Sequence, residues 1–168
     1  RISKPLNLGN LMRSAHAFGA SFIFTVDAHK TLGPSISNTS KSHDHIPYYA
    51  WASVAEMAVP QGCALVGVEF VDAATELPSF HHPTRAIYVL GPERSSLSPA
   101  MLARCDHLVK IPTIFCLNLA MAGAIVMYDR VRSLGRFAPR PVAVGGPVEA
   151  RQVHVHGAPW GRLSGVEE

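Results

Sequence analysis

Three short stretches put polar side chains into otherwise apolar surroundings, and these are the places where chemistry could be done. Asn7 to Arg13 offers an amide that can cap a helix or bind a ligand, and a guanidinium that can reach solvent or turn inward. Leu90 to Ser98 reads LGPERSSLS, with Glu93 after a Gly-Pro step. Ile111 to Asn118 follows an Ile-Pro step that holds the backbone extended, and it brackets Leu117 between Cys116 and Asn118. It runs into the apolar stretch Leu119 to Tyr128, whose Ala120, Ala122, Gly123 and Ala124 would let another backbone approach closely. That run is too short to cross a bilayer and suits a helix buried on every side. Polar residues in its first turn read as the floor of a ligand site or as the N-cap of a core helix; this stretch alone favours the cap.

Other chemistries find less support. No GxGxxG follows a strand, and neither a P-loop nor a GxSxG elbow occurs. SHDHIP offers two histidines and an aspartate but no third well-spaced ligand partner, so a metal site is not expected. The net charge of +3, with nine histidines that charge as pH falls, permits an anionic partner without demanding one.

The elements that must position the three stretches are those of an α/β domain. Leu11 to Phe18 reads as a helix with Leu11, Ala15 and Phe18 on one face and Gly19 as its stop, which leaves Asn7 just ahead of it. Ser21 to Val26, Cys63 to Phe70, Ala86 to Leu90 and His107 to Ile111 read as strands, and Trp51 to Val59 as a short helix stopped by Pro60. Asp27 to Pro47 is a basic loop, and Ala73 to Pro83 a connection anchored by Leu77 and Phe80. Ser98 caps a short helix from Pro99 to Cys105. Ligands of open α/β sheets collect at the carboxyl ends of the strands, where the second and third stretches fall.

Chain length and an apolar content of 48% suit one domain with a substantial core. Cys63, Cys105 and Cys116 form no CxxC or even framework and read as reduced thiols of an intracellular protein. A chain beginning at Arg1 without methionine reads as a fragment or processed product, which leaves room for a further strand ahead of it. Residues 137–168 are rich in Gly, Pro and Arg and read as a flexible tail, with a solvated linker and an RNA-brushing segment as the two roles open to it.

NLGNLMRSAHAFGAS, VLGPERSSLS and IPTIFCLNLAMAGAIVMYD resemble, in order and spacing, the three motifs of the SpoU/TrmH family of RNA ribose 2'-O-methyltransferases, within the SPOUT superfamily. The resemblance implies a doubly wound, mostly parallel α/β domain over residues 1–136 with a C-terminal trefoil knot. It also implies S-adenosylmethionine bound in that knot, a homodimer, a tRNA or rRNA substrate and a cytoplasmic location. Carried over by position, Asn7 and Arg13 match the first motif, Glu93 the second, and Asn118 the third. Leu90, Gly91, Pro92, Ile111 and Leu117, with Asn118, fall where the family grips the cofactor. Gly91 is expected to let the ligand lie against the main chain. Cys116 stands where the family typically has serine, Ser96 replaces a usual glycine, and the segment from Pro112 to Cys116 is shorter than in many members. A catalytically silent RNA-binding relative and a base methyltransferase are therefore the alternatives.

Overall fold

The protein is described as a computed structural model over residues 5–28, 45–92, 95–135, 137 and 144–145. The chain divides into two compact units, Arg1–Arg136 and Phe137–Glu168. In the first, the order is α1 (Pro5–Ala17), β1 (Ile23–Val26), β2 (Tyr48–Trp51), β3 (Ala64–Val68), β4 (Thr75–Glu76), a 3-10 turn (Leu77–Ser79), β5 (Ala86–Leu90), α2 (Pro99–Leu102), β6 (His107–Lys110) and α3 (Leu119–Leu134).

Every strand pairing among the described residues is parallel. The strands form two ladders, β1-β2 and β4-β6-β3-β5, where the sequence suggested one sheet. β3 lies between β5 and β6, with Val68 opposite both Leu90 and Val109. Its uninterrupted apolar run is that of a strand buried on both faces. Leu65 enters a cluster with Met57, Ile87, Val89, Leu97 and Met101. Val66 enters another with Leu77, Val109 and Val126, so α2 packs on one face of β3 and α3 on the other. A third cluster joins Leu8, Met12 and Ala15 of α1 to Ile23 and Ile46.

Four sequence expectations need correction. The first helix starts at Pro5, which has no amide hydrogen to leave orphaned in a first turn, so Asn7 lies within it. Trp51 to Val59 is not helical: Tyr48–Trp51 is a strand against β1, and turns follow. The Arg104 guanidinium takes the carbonyl oxygens of Val54 and Met57 there, acceptors that a helix would have used internally. The Ala73 to Pro83 connection contains β4, paired with β6, although Leu77 is buried and Phe80 half-buried as expected. Finally, α3 extends to Leu134 and is covered on one stripe only, at Ala120, Gly123 and Val126, while Met121, Tyr128 and Leu134 face solvent. Among the described residues α1, the 3-10 turn and the Val66–Val109 side of the sheet pack against it, and these cover one side of the helix.

By contrast Ser98 caps α2 as the sequence suggested, its hydroxyl accepting from the Met101 amide at 3.2 Å. Residues 29–44 of the Asp27 to Pro47 loop, with His43 and Asp44 of SHDHIP, lie outside the described residues. No metal-ligating cluster occurs among the described ones. No helix among them is long and apolar enough to cross a membrane.

Candidate active site

The first and third motifs meet through their asparagines. α1 and α3 pack together because Gly123 lets Leu11 in; a Cβ there would stand 2.4 Å from Leu11 Cδ1. This close approach brings the first turn of α1 to the start of α3. Asn118 Nδ2 donates to Asn7 Oδ1 at 3.2 Å, across 111 positions of sequence. Asn7 is 6% exposed, so its amide is a buried polar group that needs such partners. Asn118 also caps α3, its Oδ1 accepting from the amides of Ala120 at 2.9 Å and Met121 at 3.4 Å. The cap and ligand-site readings of this turn are thus compatible.

Arg13 lies on the exposed face of α1 and shares no bond with Asn7, Asn118 or Cys116 among the described residues. Cys116 and Leu117 are exposed at the end of the third-motif loop. Glu93 lies outside the described residues.

The cofactor-gripping positions follow the ends of neighbouring strands. Leu90 ends β5 and leads into Gly91 and Pro92, all half-buried; Ile111 follows β6 and packs against the cluster of Val66, Val109 and Val126. Thr113 pins the Ile111 loop, its hydroxyl 2.9 Å from the Phe115 carbonyl and 3.4 Å from that of Ile111. Ile114 and Phe115 project fully or nearly so into solvent.

Two concavities adjoin these loops. One, of about 280 Å³, is walled by Phe70, Val71, Asp72, Glu76, Lys110 and the Pro112–Ile114 segment. The other, of about 840 Å³, runs between β1 and β5 and reaches Gly91, Pro92 and Ser95 to Ser98. The larger cleft is lined by residues of all three stretches, Leu8 and Leu11, Leu90 to Pro92, and Leu119 and Gly123, whereas the smaller hollow meets only the loop after β6.

Sequence reasoning missed Glu69, one residue past β3. Its Oε2 accepts from the Leu97 amide at 2.7 Å and its Oε1 from the Phe70 amide at 3.2 Å. A Cβ on Gly91 would stand 2.8 Å from Oε2. The glycine therefore leaves room for this carboxylate. The signal was an acid closing the apolar run CALVGVEF.

A second unforeseen cluster gathers around Asp129, the residue that closes the third-motif stretch. Buried His82 is 2.6 Å from the Tyr88 hydroxyl through Nδ1 and 3.0 Å from Asp129 Oδ2 through Nε2. With the ring proton on Nε2, one neutral imidazole satisfies both. Arg130 donates to Tyr88 at 3.2 Å and to the carbonyls of Pro83 and Thr84 at 2.6 and 2.8 Å. Burial pushes the Tyr88 hydroxyl above its ordinary pKa, against the opposing pull of Arg130. Burial likewise raises the Cys105 thiol, with Asp106 adding to it, which keeps that sulfur protonated and unreactive.

Comparisons with known proteins converge on these motifs. The profile of the SpoU rRNA Methylase family matches residues 1–128. The chain is 25% identical over 145 residues to tRNA (guanosine(18)-2'-O)-methyltransferase TARBP1 of Mus musculus, covering 78% of this chain and 9% of that protein. It is 26% identical over 140 residues to the putative TrmH family tRNA/rRNA methyltransferase YacO of Bacillus subtilis, covering 78% of this chain and 55% of that protein. The chain thus spans a small part of one curated relative and about half of the other. The SpoU methyltransferase AviRb of Streptomyces viridochromogenes, solved in complex with AdoMet, superimposes with a TM-score of 0.69 at 26% identity, over 79% of this chain and 54% of that one. A profile match across all three motifs means that the chain belongs to the SpoU rRNA Methylase family.

Proposed function

We propose that this chain moves a methyl group from S-adenosylmethionine to a ribose 2'-hydroxyl of a structured RNA, with tRNA the first substrate to test and rRNA the second. S-adenosylmethionine is the expected cofactor. The observation that carries the reading is the Asn118–Asn7 hydrogen bond of 3.2 Å, which ties the first motif to the third beside the loops after β5 and β6. The name of the mouse relative, a tRNA 2'-O-methyltransferase, supports the same substrate class.

Bound at those loops, S-adenosylmethionine supplies a methyl group already activated by its sulfonium charge. What remains for the protein is to align the hydroxyl and remove its proton. The backbone from Leu90 to Pro92, in the larger cleft, and from Ile111 to Leu117 would hold the cofactor. Asn118, committed to two amides of α3 and to Asn7, orients this frame. Arg13 takes the target phosphate and polarises the hydroxyl. A guanidinium has no lone pair to accept the proton, so water or a phosphate oxygen beside it does so. Glu93 orients Arg13, and Cys116 fills the family's serine position.

The same reading makes the protein a cytoplasmic homodimer with a C-terminal trefoil knot. Residues 1–136 form the methyltransferase unit and 137–168 an appended tail. The exposed apolar side chains of Leu6, Met121, Tyr128 and Leu134 are assigned to the dimer face. Light scattering at twice the chain mass supports this; a monomer at micromolar concentration opposes it.

The decisive experiment incubates the protein with methyl-labelled S-adenosylmethionine and total tRNA or rRNA, then analyses nucleosides by mass spectrometry. Ribose 2'-O-methyl nucleosides are the expected product. Label on a base overturns the ribose assignment. No label on either RNA, with tight RNA binding, overturns the enzyme reading.

A further inference from the structure

We infer that Glu69 is a positioning residue that holds Gly91 and Leu97 in register for cofactor binding, an inference that rests on the methyltransferase reading. The carboxylate follows β3, the strand flanked by both loop-bearing neighbours, β5 and β6. Its own backbone is anchored, since the Glu69 amide donates to the Val109 carbonyl at 3.0 Å. From that fixed base, Oε2 takes the Leu97 amide at 2.7 Å, the length of a strong charge-assisted hydrogen bond. The same oxygen faces Gly91, where a Cβ would come within 2.8 Å. One carboxylate thus touches both ends of the loop that opens at Gly91 and closes into α2.

Leu97 is buried in the cluster with Leu65, Val89 and Met101, so its amide points inward and has little access to solvent as a substitute partner. Without the carboxylate, the loop would lose its closing bond while Leu97 kept its apolar seat. The consequence falls on loop geometry, and hence on cofactor binding, more than on global stability. Glu69 therefore acts through Gly91 and Leu97 and need not touch the reacting atoms.

The test uses the whole chain as Glu69→Ala, Glu69→Gln, Gly91→Ala and the Glu69→Ala/Gly91→Ala double variant. Hydrogen exchange at the Leu97 amide, without cofactor, reads the bond itself. Calorimetry with S-adenosylmethionine, RNA affinity and the urea midpoint read the consequences. In Glu69→Ala the Leu97 amide is expected to lose protection and the cofactor Kd to rise about tenfold, the scale of one lost charge-assisted hydrogen bond. RNA affinity should stay near wild type, and the urea midpoint should fall only by what one unsatisfied buried amide costs. Glu69→Gln, which keeps an acceptor oxygen, should restore most of the cofactor affinity. Gly91→Ala should lower Leu97 protection on its own yet add nothing to that loss in Glu69→Ala, because the clash is with the deleted carboxylate.

Unchanged Leu97 protection in Glu69→Ala overturns the inference. So does a Gln variant no better than Ala, or a double variant whose Leu97 amide is less protected than that of Glu69→Ala. A wild type that binds cofactor no better than the Ala variant overturns the positioning role alone. A wild type that takes up no cofactor overturns the methyltransferase reading and this role together.

Discussion

Replacing Asn118 with alanine is the most direct way to weigh the junction between the first and third motifs. Two losses combine. The cap Oδ1 that accepts from the Ala120 and Met121 amides disappears, and an N-cap asparagine is worth about 1 kcal/mol against alanine. The donor to Asn7 Oδ1 also disappears, and a side-chain hydrogen bond to a buried partner is worth about 1 kcal/mol. Asn118 is itself exposed, which favours the lower half of each range. The sum, about 2 kcal/mol, corresponds to a fall in Tm of about 4–8 °C for a chain of this size. Asn118→Asp dissects the two contributions, because aspartate caps as well as asparagine but cannot donate to Asn7. It should cost about half as much in stability, yet impair methyl transfer nearly as severely as alanine. Urea unfolding at neutral pH measures the first quantity and initial transfer rates the second. A loss below about 0.5 kcal/mol for the alanine variant would mean that the cap and the junction are made and unmade freely in solution. An aspartate variant as unstable as alanine would show that the Asn7 bond alone carries the effect.

Gly123→Ala should cost at most about 1–2 kcal/mol, since its Cβ meets Leu11 Cδ1 at 2.4 Å while alanine regains about 1 kcal/mol of helix propensity; adding Leu11→Ala should recover part of any loss, measured as a double-mutant cycle in urea. Arg13→Ala should leave S-adenosylmethionine affinity nearly intact in calorimetry while transfer falls about a hundredfold or more, and loss of cofactor binding would show that Arg13 has been misassigned. Cys116→Ser should preserve or raise transfer; activity appearing only in the serine variant would mark the natural site as disabled. The raised pKa of Tyr88 favours its neutral form in the folded state, so its contribution is full below pH 10.0, the ordinary value, and is lost as pH climbs through the higher folded one. Between about pH 9 and 11, wild type should therefore lose stability more steeply than Tyr88→Phe, and parallel curves would contradict the burial argument.

Local patterns in the amino-acid sequence were enough to place β1, β3, β5 and β6 and the polar stretches beside them, but not β2 or β4. The run ending at Val68 is apolar because β3 is buried on both faces, and burial of that kind leaves its mark residue by residue. Ser98-Pro99 announced α2 for an equally local reason, since a cap bonds only three residues ahead. Tertiary structure alone decided which distant groups meet. The Asn7–Asn118 bond spans 111 positions, the Glu69 clamp on Leu97 spans 28, and the Arg104 bond to the Met57 carbonyl spans 47. Each of these contacts satisfies a polar group whose need is visible in the sequence, but whose partner is chosen by chain crossing and helix packing. The same holds for the exposed stripe of α3: ten apolar residues in a row describe a helix that can be buried all round, and only the number of neighbours packed against it shows that one side is left bare.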